Sequence, residues 1–259
     1  MSVYLASLFH LTDHTALVTG GSSGLGLAMA RSLARAGASV VLAARDVARL
    51  GAAVDSIAAE GGRTAAIPFD LGQTSRIAEL ARLATEPFGP PDILVNAAGV
   101  NPRKPWDQVT EEDWNRTLAL NLTAPFFLAR ELVPAMQERR FGRIINLASL
   151  QSMRAFPDGA PYGASKGGVA QLTRAMAQAW SGKNSGITAN ALAPGFFRTG
   201  LTAPLFANEE TVREMAGRTI VGRTGEPVDI DGPTVFLASP ASAYLTGQVI
   251  FLDGGWSAI

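Results

Sequence analysis

The sequence predicts an α/β fold in which a doubly wound, parallel sheet of seven strands carries helices on both faces. Two observations lead there. Short apolar runs alternate with helical patterns along nearly the whole chain, and the first set forms a strand, glycine-rich loop, helix and second strand, a βαβ unit of about thirty residues. With 259 residues, 47% of them hydrophobic and 17% charged, the chain has the length and composition of one large globular domain spanning 1–259.

Residues 15–19 read as a short apolar strand that runs into Gly20-Gly21-Ser22-Ser23-Gly24-Leu25-Gly26, and a helical pattern at 27–36 and a strand at 39–44 complete the unit. Glycines let a ligand approach the chain closely. Loop N–H groups and the positive end of the helix converge on one spot, the layout that holds a phosphate. A glycine-rich turn without a ligand is the plainer alternative. Further strands are expected at 64–69, 92–96, 143–147, 187–192 and 248–252, with helices from Gln73, near Glu111 and from Tyr162. The least regular insertion, 196–218, contains Pro204 and scattered aromatics and reads as a mobile flap over the cleft.

Composition removes several classes of function. Twenty-two basic and twenty-two acidic residues cancel, so no net field draws in nucleic acid or an anionic membrane. The absence of cysteine excludes disulfides, thiolate catalysis and sulfur-bound metals, and the two histidines, His10 and His14, both precede the first strand and make no metal cluster. No eighteen apolar residues run together and the first basic residue is Arg31, so neither a membrane span nor a signal segment is expected, and the expected compartment is the cytoplasm. Gly20 to Gly24 also fits Gly-x-Ser-x-Gly, the turn of a hydrolase nucleophile. That mechanism needs an imidazole downstream of the serine, and nothing after His14 supplies one.

Tyr162-Gly163-Ala164-Ser165-Lys166 follows a Pro/Gly-rich loop at the start of a helical pattern. Residues four apart on a helix share a face, so the phenol and the ammonium stand side by side. A nearby cation favours the phenolate, and bringing a tyrosine from about 10 to about 7 takes about 4 kcal/mol, within reach of two close cations in a desolvated cleft. A half-buried Tyr beside a snorkelling Lys is the bland alternative. Upstream, the apolar strand at 143–147 leads to Ser149, at the strand end where an open α/β sheet carries its function. Pro125 lies four residues after Asn121 and has no N–H, so the Asn121 carbonyl loses its helical partner and can hold a water, or else the kink serves packing alone.

Taken together, Thr19-Gly20-(x)3-Gly24-x-Gly26, Asn96-Ala97-Ala98-Gly99, Asn121, Ser149, Tyr162-(x)3-Lys166 and Pro194-Gly195 resemble the short-chain dehydrogenase/reductase family in its single-domain, Rossmann-type form. The likeness extends from about Leu11 to Trp256. It implies that Tyr162 is the general acid/base, that Lys166 lowers its pKa and binds the nicotinamide ribose, that Ser149 holds the substrate oxygen, and that Asn121 anchors a proton-relay water. It implies a cofactor cradle of Gly20, Ser22, Ser23, Gly24, Leu25 and Gly26, with Asp70 and Leu71 at the adenine. Asp70 reads equally as a plain helix N-terminal acid. Asn96, Ala97 and Gly99 resemble the cofactor-supporting turn, and Pro194, Gly195, Phe197 and Thr199 the residues meeting the nicotinamide. A homotetramer is also implied.

Cofactor choice turns on the end of the second strand. An acid there binds the ribose 2′-hydroxyl, whereas an arginine favours a 2′-phosphate. Ala44 occupies the place of the acid and Arg45 follows, which favours NADP(H). Asp46 and the uncharged Ser23 leave NAD(H) open. For the substrate, 101–106 and 149–154 resemble stretches in gluconate 5-dehydrogenase-like members, which act on keto-sugar acids. Arg103, Lys104 and Arg154 then either pair with a substrate carboxylate or are solvated surface cations, and Gln151 and Phe156 join the expected substrate site. Phe156, Phe197 and Phe206 either line an apolar pocket for a bulky ketone or pack the flap. The expected reaction interconverts a secondary alcohol and a ketone, with a sugar-type hydroxy or keto acid favoured. A 3-oxoacyl-thioester reductase, a broad carbonyl reductase and a non-catalytic nucleotide-binding regulator are the alternatives.

Overall fold

The computed structural model describes residues 2–259, so of the predicted 1–259 unit only Met1 lies outside the described residues. Strands β1 (Thr15–Thr19), β2 (Ser39–Ala44), β3 (Thr64–Pro68), β4 (Ile93–Asn96), β5 (Gly142–Leu147), β6 (Ile187–Pro194) and β7 (Val249–Leu252) form one sheet in the order β3-β2-β1-β4-β5-β6-β7. Every pairing is parallel. The helices are α1 (Val3–Phe9), α2 (Gly24–Arg35), α3 (Val47–Ala58), α4 (Ile77–Leu83), α5 (Glu111–Leu118), α6 (Ala124–Arg139), α7 (Ala160–Trp180), α8 (Ala203–Phe206), α9 (Glu209–Gly217) and α10 (Asp231–Ala238).

The strands lack polar alternation because both faces of the sheet are covered. Successive residues alternate between two cores: Leu17, Val41, Leu94 and Ile144 face α4, α6 and α7, whereas Val18, Leu42, Val95 and Ile145 face α2, α3 and α10. Among the described residues no helix is long and apolar enough to cross a membrane.

Several expected boundaries move by a residue or two. The strand expected at 92–96 begins at Ile93; Asp92, just before it, still bonds both neighbouring strands through its backbone, and its carboxylate accepts the Thr15 amide at 3.1 Å and meets His14 Nδ1 at 2.9 Å. The strand expected at 187–192 runs on to Pro194, paired with β7. Helices α1, α3 and α10 are not among those expected from the sequence pattern. The insertion at 196–218, expected to be irregular, contains α8 and α9: Pro204 sits in the first turn of α8, where a missing N–H costs nothing, and Asn208 caps α9 by accepting the amides of Glu210 and Thr211.

The order of strands reverses between β1 and β4, and there Thr19 Oγ1 donates to Val95 O at 3.3 Å and accepts the amides of Ala97 and Ala98 at 3.1 and 3.2 Å. A buried polar chain runs behind this point. Asn96 Nδ2 donates to Asn146 Oδ1, and Asn146 Nδ2 donates to Thr173 Oγ1, both at 2.9 Å, tying β4, β5 and α7 together. Replacing Asn146 by Ala leaves the buried Asn96 Nδ2 without its acceptor and reduces Thr173 Oγ1 to its bond with Val169 O. Equilibrium urea unfolding of Asn146→Ala is expected to show a loss of about 2–4 kcal/mol, and a loss below about 1 kcal/mol would mean that the chain contributes little.

Candidate active site

The loop after β1 folds as it does because two positions accept only glycine. Gly20 has φ +68°, and a Cβ there would lie 2.8 Å from the Ala98 backbone. A Cβ on Gly26 would strike the Gly20 carbonyl. Ser23, at the N-cap of α2, makes no side-chain bond to the first helical turn, so the N–H groups there stay open to a ligand. In front of them lies a cavity of about 730 Å³, which runs from Arg45, Asp46 and Arg49 past Asp70 and Leu71 to Tyr162 and Lys166. Its size and its glycine wall suit a dinucleotide.

A second cavity, of about 550 Å³, is lined by Arg103, Ser149, Gln151, Phe156, Phe196 and Trp256 among others. Tyr162 lines both. Lys166 lies on the glycine-loop side of it and Ser149 on the other. Leu25, Leu147, Thr199 and Leu201 line both cavities as well, but the phenol is the titratable group among these shared residues, which suits proton exchange at a carbonyl oxygen brought up to a hydride donor.

The family model described as Enoyl-(Acyl carrier protein) reductase, of short-chain dehydrogenase type, matches residues 20–257. The chain belongs to the short-chain dehydrogenase/reductase family. It is an oxidoreductase acting on CH–OH and C=O groups. It is 40% identical over 248 residues to gluconate 5-dehydrogenase of Gluconobacter oxydans (strain 621H), covering 96% of each chain. To 5-keto-D-gluconate 5-reductase of Escherichia coli (strain K12) it is 35% identical over 248 residues, covering 96% of this chain and 97% of the other. The crystal structure of a gluconate 5-dehydrogenase from Burkholderia cenocepacia J2315 in complex with NADP and tartrate superposes with a TM-score of 0.92 at 36% identity, covering 98% of this chain and 99% of that one.

In this short-chain dehydrogenase/reductase the loop residues Gly20, Ser22, Ser23, Gly24, Leu25 and Gly26 line the larger cavity, as do Arg45, Asp70, Leu71, Ala97, Gly99 and Thr199. The Asp70 side chain also accepts the Gly72 amide at 3.0 Å, so it shapes its own turn as well. Four expected cofactor residues lie elsewhere. Asn96 is buried behind the turn in the polar chain with Asn146. Pro194, Gly195 and Phe197 line the smaller cavity instead. Phe197 is 3% exposed and packs on Gly225, where a Cβ would meet its ring.

Of the expected substrate residues, Arg103, Gln151 and Phe156 line the smaller cavity. Arg154 and Lys104 do not. Arg154 donates to the Ile259 carbonyl at 2.7 Å, and Lys104 pairs at 2.7 Å with Asp113, whose carboxyl it holds down to about 2. Phe206 is buried beside Leu150, Met215 and Trp256 rather than lining the cavity. Arg49, Leu147 and Trp256 were not expected at either cavity. Arg49 offered a signal, a second arginine four residues after Arg45, whereas Leu147 takes part through its carbonyl.

Asn121 sits in a π-helical turn, Ala119–Thr123, between α5 and α6. The helix widens there because Pro125 cannot donate, and the Ala124 amide reaches Ala119 O instead. Its side chain is clamped: Oδ1 accepts the Val100 amide, and Nδ2 donates to Val100 O and to Ser165 Oγ, at 2.9–3.0 Å. Ser149 caps the turn that follows it by accepting the Gln151 amide, and Ser152 Oγ bonds the Lys166 carbonyl.

The electrostatics correct one expectation. Burial pushes the Tyr162 phenol above its ordinary value, and the Ser149 hydroxyl and the Arg103 charge, rather than Lys166, pull it back. Lys166 Nζ stands 5.5 Å from the Tyr162 ring centroid and donates to Leu147 O at 2.5 Å, while burial draws its own pKa down to about 8. The unfolded chain keeps that proton up to about pH 10.5 and the folded chain only to about 8, so the cost of the buried charge is fully present below pH 8 and is relieved as pH rises through the interval. Between pH 8 and 10.5 the stability of the wild type relative to Lys166→Met is expected to rise on the order of 3 kcal/mol by urea unfolding; parallel curves would contradict it.

Proposed function

We propose that this enzyme interconverts a sugar-type hydroxy acid and its keto acid with NADP(H), in the manner of a gluconate 5-dehydrogenase. The observation that carries the substrate class is Arg103. Its Nε is buried without a hydrogen-bond partner, its backbone is held at φ +47° with its amide bonded to Asn101 Oδ1, and it lines the same cavity as Ser149 and Tyr162. A guanidinium so placed, with no ion-pair partner among the described residues, suits a carboxylate bound as a fork, with the reacting carbon at the phenol. The relatives named for gluconate and 5-ketogluconate, and a neighbouring structure holding NADP and tartrate, support it.

Bound in the glycine-lined cavity, the nicotinamide supplies or accepts hydride at carbon. The protein does the rest. Ser149 holds the carbonyl oxygen, and Tyr162 gives its proton to that oxygen in reduction and takes it back in oxidation. Lys166 binds the cofactor's ribose, and the nicotinamide charge adds to that of Arg103 in offsetting the burial that keeps the phenol protonated. Asn121 and the widened helix hold the proton path. Arg45 favours the 2′-phosphate. Residues of α8 and α9 line the substrate cavity, which supports 196–218 as the flap that closes over it. A cytoplasmic homotetramer completes the reading, and sedimentation equilibrium tests the assembly.

A 3-oxoacyl-thioester or broad carbonyl reductase would use the same four residues, and the aromatic wall of Phe156, Phe196 and Trp256, with centroids 5.0–6.2 Å apart, is the observation in its favour. Steady-state rates with 5-keto-D-gluconate, an acetoacetyl thioester and an aryl ketone, each with NADPH and NADH, separate the readings; the keto acid with NADPH is expected to give the highest kcat/KM. Arg103→Gln is expected to raise KM for 5-keto-D-gluconate by about tenfold or more and to leave the aryl ketone within about twofold. Tyr162→Phe is expected to lower kcat by about a thousandfold with KM little changed. A loss below about tenfold would favour a binding protein that does no chemistry.

A further inference from the structure

The far end of the cofactor cavity presents a contradiction that the structure resolves. Arg45 suits a 2′-phosphate, but Asp46, two residues beyond the strand end at Ala44, puts a carboxylate in the lining of the same cavity, where it can accept the ribose 2′-hydroxyl and repel phosphate. The glycine loop adds only Ser22 and Ser23, so it supplies no compensating cation. The Asp46 carboxylate is, however, already engaged. Its Oδ1 accepts the Arg49 amide at 3.0 Å as the N-cap of α3, and its Oδ2 lies 3.3 Å from Arg49 Nε. Arg45 has no ion-pair partner among the described residues, while Arg49 lines the cavity beside it. The Arg49 and Asp46 side chains are 69% and 50% exposed, and an ion pair in that setting contributes little to folding. Its effect falls on what binds there.

We propose that Arg49 is a cofactor-specificity residue, which holds and neutralises Asp46 so that Arg45 can receive a 2′-phosphate. This rests on the NADP(H) reading above. Removing the Arg49 charge frees a full carboxylate charge beside the phosphate site and offers the 2′-hydroxyl of NAD(H) an acceptor.

The test is the Kd of NADP⁺ and of NAD⁺, measured by isothermal titration calorimetry on the wild type, Arg49→Gln, and Arg49→Gln combined with Asp46→Ser, in which serine keeps the cap. Arg49→Gln is expected to weaken NADP⁺ by about tenfold or more and to leave NAD⁺ equal or tighter. The double variant is expected to return NADP⁺ to within about threefold of the wild type. A wild-type preference for NADP⁺ that survives Arg49→Gln within about twofold overturns the inference alone. A double variant as weak as the single one also overturns it, because Arg49 then acts on the phosphate and not through Asp46. A wild type that binds both dinucleotides equally overturns the NADP(H) reading first and this inference with it.

Discussion

Lys166 carries an ammonium that is 3% exposed, and the Leu147 carbonyl is its hydrogen-bond acceptor. Isolated in an apolar core such a charge would shed its proton or oppose folding. Here its burial is tolerable because α7 is fixed to the end of β5 at two points: Nζ to Leu147 O, and the Lys166 carbonyl to Ser152 Oγ in the turn begun by Ser149. Tyr162, one helical turn earlier on the same face, therefore has little freedom to drift. The strand that presents Ser149 and the helix that presents the phenol are held by the same lysine.

The widened helix at Asn121 extends that frame to a third element. Asn121 Nδ2 reaches Ser165 Oγ, which in turn donates to the Tyr162 carbonyl at 2.7 Å. Its Oδ1 holds the Val100 amide in the loop that borders the cofactor cavity. One amide therefore sets the spacing between the loop after β4, the π turn and α7. A regular α-helix over 119–123 would change that spacing, so the missing donor of Pro125 shapes the site as well as the helix.

Much of this was legible in the sequence because the responsible features are local. The apolar runs of β1 and β2 match the observed strands, the glycine loop opens α2, and the four-residue spacing of Tyr162 and Lys166 places both on one side of α7. Pro125 announced the helix defect at Asn121, although not that it would be a π turn. What stayed hidden depends on long-range contact. Arg154 looks available until the chain's last residue is seen to occupy it, Lys104 until Asp113 folds against it, and Phe197 until Gly225 is found beneath its ring. The helices in 196–218 were obscured by scattered aromatics that prove to pack inward onto Trp256. A side chain's commitment to a distant partner leaves no trace in spacing or pattern.

The balance at Tyr162 decides the chemistry: burial raises the phenol, the Ser149 hydroxyl and the Arg103 charge draw it back in part, and added positive charge in the adjoining cavity lowers it further. The direct measurement is an ultraviolet difference titration of the phenol, taken as wild type minus Tyr162→Phe to remove Tyr4 and Tyr244. It is run on the free protein and again with saturating NADP⁺. The free protein should titrate above the ordinary tyrosine value, and the complex at least one pH unit, about 1.4 kcal/mol, lower. Identical midpoints in the two states would contradict the account.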